Sequence, residues 1–369
     1  MDYPKYRTGS IPFQVMANAC RLQETMPYCA SMATIGPVTW PLKQTNNLMS
    51  KQTKPVKKAT RKIHPDIGYL TGIVTDAGVV AIIAASEEME NKEMPHGFLA
   101  ILKDKTWSIF LEDMDIISIT AGKGSLARHV GYLATDGRLA INEPTGARNE
   151  HVHKGKNGPG KLRPMSEIRV IGDYFIAVGM RRQVYRRKLL KGTWARFDEG
   201  VLLDEKSLEI AGFLSVDGAN NNELYAVGYQ GEIWLRTAKE WQPLKSPVTT
   251  RLECVRCGAD GSVLICGENG VVLKGNQKQW QLVDAKGISN TLKSAAQFKG
   301  QWYVADEEGG LYIIKEDGIY IEPEFAKLKA TTGSLSSTDT ALLSVGETDI
   351  VLFDGKKWTR LKDPGIDPK

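Results

Sequence analysis

The residue groups in this chain that could do chemistry are few, and spacing limits each of them. Cys254 and Cys257 stand at the interval used by zinc and redox sites, where further ligands and a tight turn must bring both sulfurs together. Here the pair falls in an apolar run that reads as a strand, and residues three apart on a strand point to opposite faces. Packing is therefore the expected role, as it is for Cys266. His151 and His153 share one face of a strand beside Glu150 at a spacing that suits a metal, but His64, His96 and His129 are scattered. No metal site and no cofactor are expected. Gly122-Lys123-Gly124-Ser125 contains the residues of a phosphate-cradling loop but not their order, so it reads as a surface turn.

Positive charge is the most concentrated feature. Arg181, Arg182, Arg186, Arg187, Lys188, Lys191 and Arg196 follow one another without an acidic residue between them. A second basic run, Lys51, Lys54, Lys57, Lys58, Arg61 and Lys62, surrounds Pro55. Setting these thirteen cations aside turns the net +5 of the chain into −8, so the molecule is electrostatically divided. A cationic patch suits an acidic protein or a nucleic acid, and the lack of interleaved aromatics argues against the latter.

These residues sit on a repeating framework. From Gly68 onward a unit of about forty residues recurs, a period typical of solenoids, propellers and arrays. Its marker is an aromatic: Trp194, Trp241, Trp280, Tyr320 and Trp358 follow at intervals of 47, 39, 40 and 38, and Trp107 lies 87 earlier, so one unit lacks the marker. Tight turns are expected before the most apolar strand of each unit, at 76–78, Asp136-Gly137, Gly172-Asp173, 220–222, Asp260-Gly261, Lys299-Gly300 and Thr338-Asp339. In the fifth unit, runs at 252–258, 263–266, 271–274 and 279–283 describe four short antiparallel strands. Gly179, Gly228, Gly267 and Gly346 close the apolar strands of four units, where a structural role is expected. Each such sheet is apolar on both faces, so seven must stack around an axis to bury them.

The pattern Ala226-Val227-Gly228, Gly231, Ile233 and Trp241, repeated as Cys266-Gly267, Gly270, Val272 and Trp280, resembles the WD-like and sialidase-type repeats of bacterial β-propellers over roughly residues 69–365. Departures are evident. Asp354-Gly355-Lys356-Lys357-Trp358 keeps part of an Asp-box, the segment ending at Trp280 has no aspartate, and no Trp-Asp pair occurs. The sialidase-type resemblance implies glycan hydrolysis with clustered arginines and a tyrosine nucleophile; Tyr185 and its neighbouring arginines are present, but no spacing selects them. Resemblance to interaction scaffolds and to immunity proteins that occlude a toxin implies a protein partner instead.

Composition bounds the rest. With 42% hydrophobic residues and 36 glycines the chain is too apolar for disorder and too punctuated for long helices. Five cysteines form no secreted framework, the segment after Arg7 is too polar for a signal-peptide core, and no stretch suits a membrane span, so a cytoplasmic bacterial protein is expected. Met49 opens the basic run and is read as an alternative start, with residues 1–48 as an extension.

The expected architecture is all-β: a seven-bladed propeller of four-stranded antiparallel blades over residues 69–369, after an irregular extension and basic linker at 1–68. Loops joining second to third strands share one face with the links between blades, and that set is longer: 86–97, 154–165, 198–209, the turn at Arg181 and 306–308. Recognition of a partner protein is expected there, without catalysis. Arg181, Arg182, Arg186 and Arg187 of blade three, Glu87 and Glu88 of blade one, Tyr229, and Asp306 and Glu307 of blade six are the expected contacts. A glycan-acting hydrolase and an anion or nucleic-acid binder are the alternatives.

Overall fold

Short apolar runs broken by turns make strands, and the described residues form twenty-eight of them in seven sheets. The computed structural model describes residues 64–155, 158–204, 206–207, 210–277 and 279–368; of the extension expected at 1–68, residues 1–63, with the basic run, lie outside them, and the first strand already begins at Ile67. Each sheet is a four-stranded antiparallel blade built from consecutive strands, and the blades, numbered I to VII here, begin at Ile67, Ile116, Met165, Phe213, Leu252, Leu292 and Ser334. Blade V follows the expected plan, with strands Leu252–Cys257, Val263–Gly267, Val272–Asn276 and Gln279–Leu282. The fold is thus the seven-bladed propeller that the repeat implied.

Seven hydrophobic clusters fill the interfaces, one for each pair of neighbouring blades. The marker aromatics stand at the outer strands: Trp241 packs 5.6 Å from Phe213, and its Nε1 donates to Phe197 O of blade III at 2.8 Å. In blade II, whose outer strand Gly146–His151 has no aromatic, Glu150 reaches across to accept from Trp194 Nε1 at 2.9 Å.

The first strands line the axis, where one edge of each sheet has no strand to pair with. Six of them contain a bulge, after which stand Thr71, Ser118, Glu167, Ser215, Cys254 and Ser294. Most of these side chains point into the next blade. There Ser118 Oγ accepts from Ile168 N at 3.1 Å, Glu167 from Val216 N at 2.8 Å, Ser215 from Val255 N at 3.1 Å and Ser294 from Leu335 N at 3.0 Å. Cys254 takes the same place, with its sulfur bonded to Ala295 N. Buried N–H groups that would otherwise be orphaned are thereby satisfied across the interfaces.

Ring closure uses the same device. Ser336 Oγ of blade VII accepts from Val74 N of blade I at 3.3 Å, and the hydroxyls of Thr71 and Ser334 meet at 2.9 Å. After the last strand, Trp358–Arg360, the chain crosses back over blade I. Trp107 Nε1 donates to Lys362 O at 2.8 Å, Tyr69 OH donates to Asp363, and Ile366 is buried against the core of blade I.

One local expectation changes. Asp136-Gly137 joins the second and third strands of blade II, and Gly122-Lys123-Gly124-Ser125 forms its first turn, tied to blade I by Gly124 N donating to Asp76 at 2.6 Å. Asp-Gly marks any tight turn, so the dipeptide did not say which one. The glycines closing the second strands are needed for close approach rather than for a left-handed turn. At Gly228 and Gly267 the backbone is extended, and a Cβ would lie 1.9 and 2.2 Å from the carbonyls of Gly212 and Arg251, which lead into the first strands of the same blades.

No helix among the described residues is long and apolar enough to cross a membrane.

Replacing Ser294 by Ala leaves Leu335 N buried without its partner. The variant is expected to lose about 1–3 kcal/mol. A lower midpoint in urea unfolding, with the spectrum of the folded state unchanged, is the measurement that checks it.

Candidate partner-binding face

Strand order makes the charged loops expected to bind a partner second-to-third turns and blade links. In blade I that turn holds a helix, Glu87–Asn91, with Ser86 as its cap. Met89 N donates to Ser86 Oγ at 3.1 Å, the Ser86 hydroxyl donates to Asp66 at 2.5 Å, and Ser86 N donates to His96 Nε2 at 2.8 Å. This anchoring presents Glu87 and Glu88 to solvent, where Glu88 pairs with Lys92 at 2.6 Å. Glu90 is half-buried in the same turn. Loss of water first, then the neighbouring carboxylates of Asp115, Glu87 and Asp66, push its pKa up to about 7.

The four arginines of blade III do not form one patch. Arg181, in the turn after the second strand, donates to Asp204 O at 2.5 Å and Ser207 O at 3.1 Å, so it organises the link that follows its own blade. Arg182 reaches blade IV, pairing with Glu232 at 2.6 Å and standing 5.1 Å from the ring centre of Trp234. Arg186 is exposed and lies over Phe197 and Tyr174. Arg187 is buried, paired with Glu150 of blade II at 2.8 Å and bonded to Lys188 O and Leu189 O.

Several carboxylates on this face hold the scaffold together. Glu232, Glu268, Glu307 and Asp349 each sit in the turn between second and third strands and accept from a backbone N–H just ahead of the first strand of the same blade: Gly212 N at 3.0 Å, Arg251 N at 3.1 Å, Thr291 N at 3.1 Å and Thr331 N at 2.9 Å. Asp306 is buried and accepts from Asn290, Glu308 N, Gly310 N and Tyr312 OH. Arg187 and Asp306 are therefore fully engaged within the fold, and Glu307 has a structural bond of its own. Tyr229 is partly exposed in a single turn of helix, Tyr229–Gly231.

The residues with catalytic potential are also accounted for. Tyr185 is buried, its OH donates to Gln183 Oε1 at 2.9 Å, and desolvation pushes its pKa up to about 12, which suits packing rather than nucleophilic attack. His153 stacks on Tyr185, and His151 accepts from His153 N at 3.2 Å. Cys254 pairs across the sheet with Cys266 while burial raises the Cys257 thiol, and among the described residues no group of His, Cys, Asp and Glu is arranged to hold a metal. Near the axis, acids and arginines do meet, but they neutralise one another. Arg256 pairs with Glu167 at 2.7 Å, Arg169 with Asp217 at 3.4 Å and Lys293 with Glu253 at 3.2 Å. A cavity of about 190 Å³ between the outer strands of blade VI and the link that follows them is lined by Leu311, Tyr312, Ile321, Phe325 and Ala326, and none of those paired charges lines it.

Sequence reasoning missed the partners that sort the arginines. Glu150 and Glu232 lie 37 and 50 residues from the arginines they bind, and Arg236 lies 50 residues from Arg186, beside the same ring. These separations are close to the repeat length, and that was the available signal: equivalent positions in successive units become neighbours.

No protein-family profile matches the chain. A curated protein, Immune protein Tsi7 of Pseudomonas aeruginosa, is 29% identical over 307 residues, covering 82% of this chain and 99% of that one. Among solved structures, YCF48 bound to D1 peptide superposes with a TM-score of 0.57 at 14% identity, covering 83% of this chain and 95% of that one. The β-propeller domain of Cps50 (Swd1) from Myceliophteria thermophila gives 0.56 at 12% identity, covering 80% and 99%. The WD40 propeller domain of Doa1 gives 0.53 at 11%, covering 80% and 92%. At such identities the solved structures establish the fold.

The raised pKa of Glu90 makes stability depend on pH. A carboxyl whose folded pKa lies above its unfolded value contributes stability below about pH 4.5 that is lost as pH rises through about 7. Glu90→Gln, neutral throughout, is expected to raise the melting temperature at pH 8 and to leave it nearly unchanged at pH 4.5. Equal shifts at both values in thermal melts contradict the assignment.

Proposed function

We propose that this chain is a non-catalytic, protein-binding propeller of the immunity type, which neutralises a partner protein by covering it with the loop-rich face. The observation that carries the reading is the similarity to Immune protein Tsi7, which runs along 99% of that protein and 82% of this chain and so is not confined to one motif. The chemistry of the site supports it. Charges near the axis are paired with one another, whereas Glu87, Glu88, Arg181 and Tyr229 stand on loops around a rigid ring, the arrangement used for recognition. Arg182 contributes by fixing the turn of blade IV through Glu232. A propeller of the same fold, YCF48, is bound to a peptide. The free thiols of Cys254, Cys257 and Cys266 suit a reducing compartment, and we place the protein in the cytoplasm.

The reading is tested by isolating the chain with its bound partner from the native cell and measuring their affinity. Glu87→Lys combined with Glu88→Lys and Tyr229→Ala is expected to weaken the complex about tenfold or more. Circular dichroism should stay that of the parent, because these side chains lie outside the core. Unchanged affinity removes the loop-rich face as the docking surface, and a chain that holds no protein partner at all removes the function.

A further inference from the structure

Two guanidinium groups at the outer junction of blades III and IV form no ion pair among the described residues. Arg186, on the third strand of blade III, Gln183–Lys188, lies 4.0 Å from the centre of the Phe197 ring. Arg236, at the end of the third strand of blade IV, Ile233–Arg236, lies 3.8 Å from the centre of the same ring. Phe197 is fixed from both sides: its N–H donates to Val184 O at 2.8 Å, and its carbonyl accepts from Trp241 Nε1 at 2.8 Å. Tyr174 completes the site, with Arg186 at 5.6 Å and Lys188 at 5.9 Å from its ring centre.

The surrounding arginines show what is missing. Arg182, Arg187 and Arg196 each pair with a carboxylate at 2.6, 2.8 and 2.7 Å. Arg186 and Arg236 form no ion pair among the described residues. Arg236 is only 8% exposed, its Nε is buried without a hydrogen-bond partner, and its bond to Lys239 O is stretched to 3.5 Å. The exposed Glu199 attracts Arg236 without pairing with it, and Arg186 repels it. A desolvated cation beside a like charge is held at a cost that contact with an aromatic ring returns only in part. An incoming carboxylate would return the rest, since the planar fork of a guanidinium matches its two oxygens.

We propose that Arg186, Phe197 and Arg236 form a receiving site for an aspartate or glutamate on an acidic segment of a partner protein. Nucleic acid fits less well. Phe197 is 4% exposed and already covered by cations, so it has no face to offer a base. The inference deepens the protein-binding reading by giving the chemistry of one contact, and it rests on that reading only for the source of the acid.

The probe is a hexaglutamate peptide, titrated calorimetrically into the full chain at low salt beside a hexathymidylate oligonucleotide. The expected result is peptide binding that weakens about tenfold in Arg186→Ala and in Arg236→Lys, with the oligonucleotide weaker than the peptide. Arg186 is exposed, so its variant remains informative whatever Arg236→Lys does to folding. No peptide binding, equal binding by both variants, or tighter binding of the oligonucleotide each overturns the site. Capture of the native partner is read in parallel. A chain that captures its partner but ignores the peptide refutes this site alone, whereas peptide binding without any protein partner refutes the proposed function and leaves the site standing.

Discussion

Where seven sheets converge on one axis, the first strand of each has an edge that no strand can pair. Its N–H groups are shut away from water by the neighbouring blade, and a buried unsatisfied amide costs about as much as a lost hydrogen bond. The chain meets this constraint with one repeated device: a bulge in the first strand, followed by a short acceptor that reaches the next blade. Serine fills the position in blades II, IV and VI, glutamate in blade III and cysteine in blade V. The acceptor also fixes how far each blade is rotated from the last, so it sets the geometry in which the seven hydrophobic clusters can close. Blade VII completes the ring through Ser334 and Ser336, and the segment beyond its last strand fastens to Tyr69 and Trp107 of blade I.

The same economy governs charge. Glu167 serves at once as acceptor for Val216 N and as counter-ion for the partly buried Arg256. Turn carboxylates that look like recognition groups, such as Glu232 and Glu307, secure the entry to their own blades. The contacts proposed for a partner are few beside these: the capped helix of blade I, the turn at Arg181, Tyr229, and the guanidinium pair around Phe197. A rigid ring with sparse, well-supported contacts is suited to covering another protein.

Much of this was legible in the sequence, because propeller repeats write the same local requirements seven times. The marker tryptophans fall on or beside outer strands, and the four strands of blade V lie where its apolar runs placed them. Local signals failed where they were ambiguous, as at Asp136-Gly137, which marks a tight turn without saying which pair of strands it joins. Closure was not legible, since the few residues around Asp363 and Ile366 carry no repeat. The arginine run read as one patch although adjacent residues on a strand alternate in direction, and that alternation, with a partner in the neighbouring blade, separates buried Arg187 from exposed Arg186.

The proposed binding role rests on similarity to a relative named as an immune protein. Neutralisation of a partner is tested most directly by growth of the native cell after the chain is depleted while its partner is still made. Growth is expected to stop and to resume when the chain is restored from a second copy. Normal growth after complete depletion, with the partner demonstrably present and active, contradicts it.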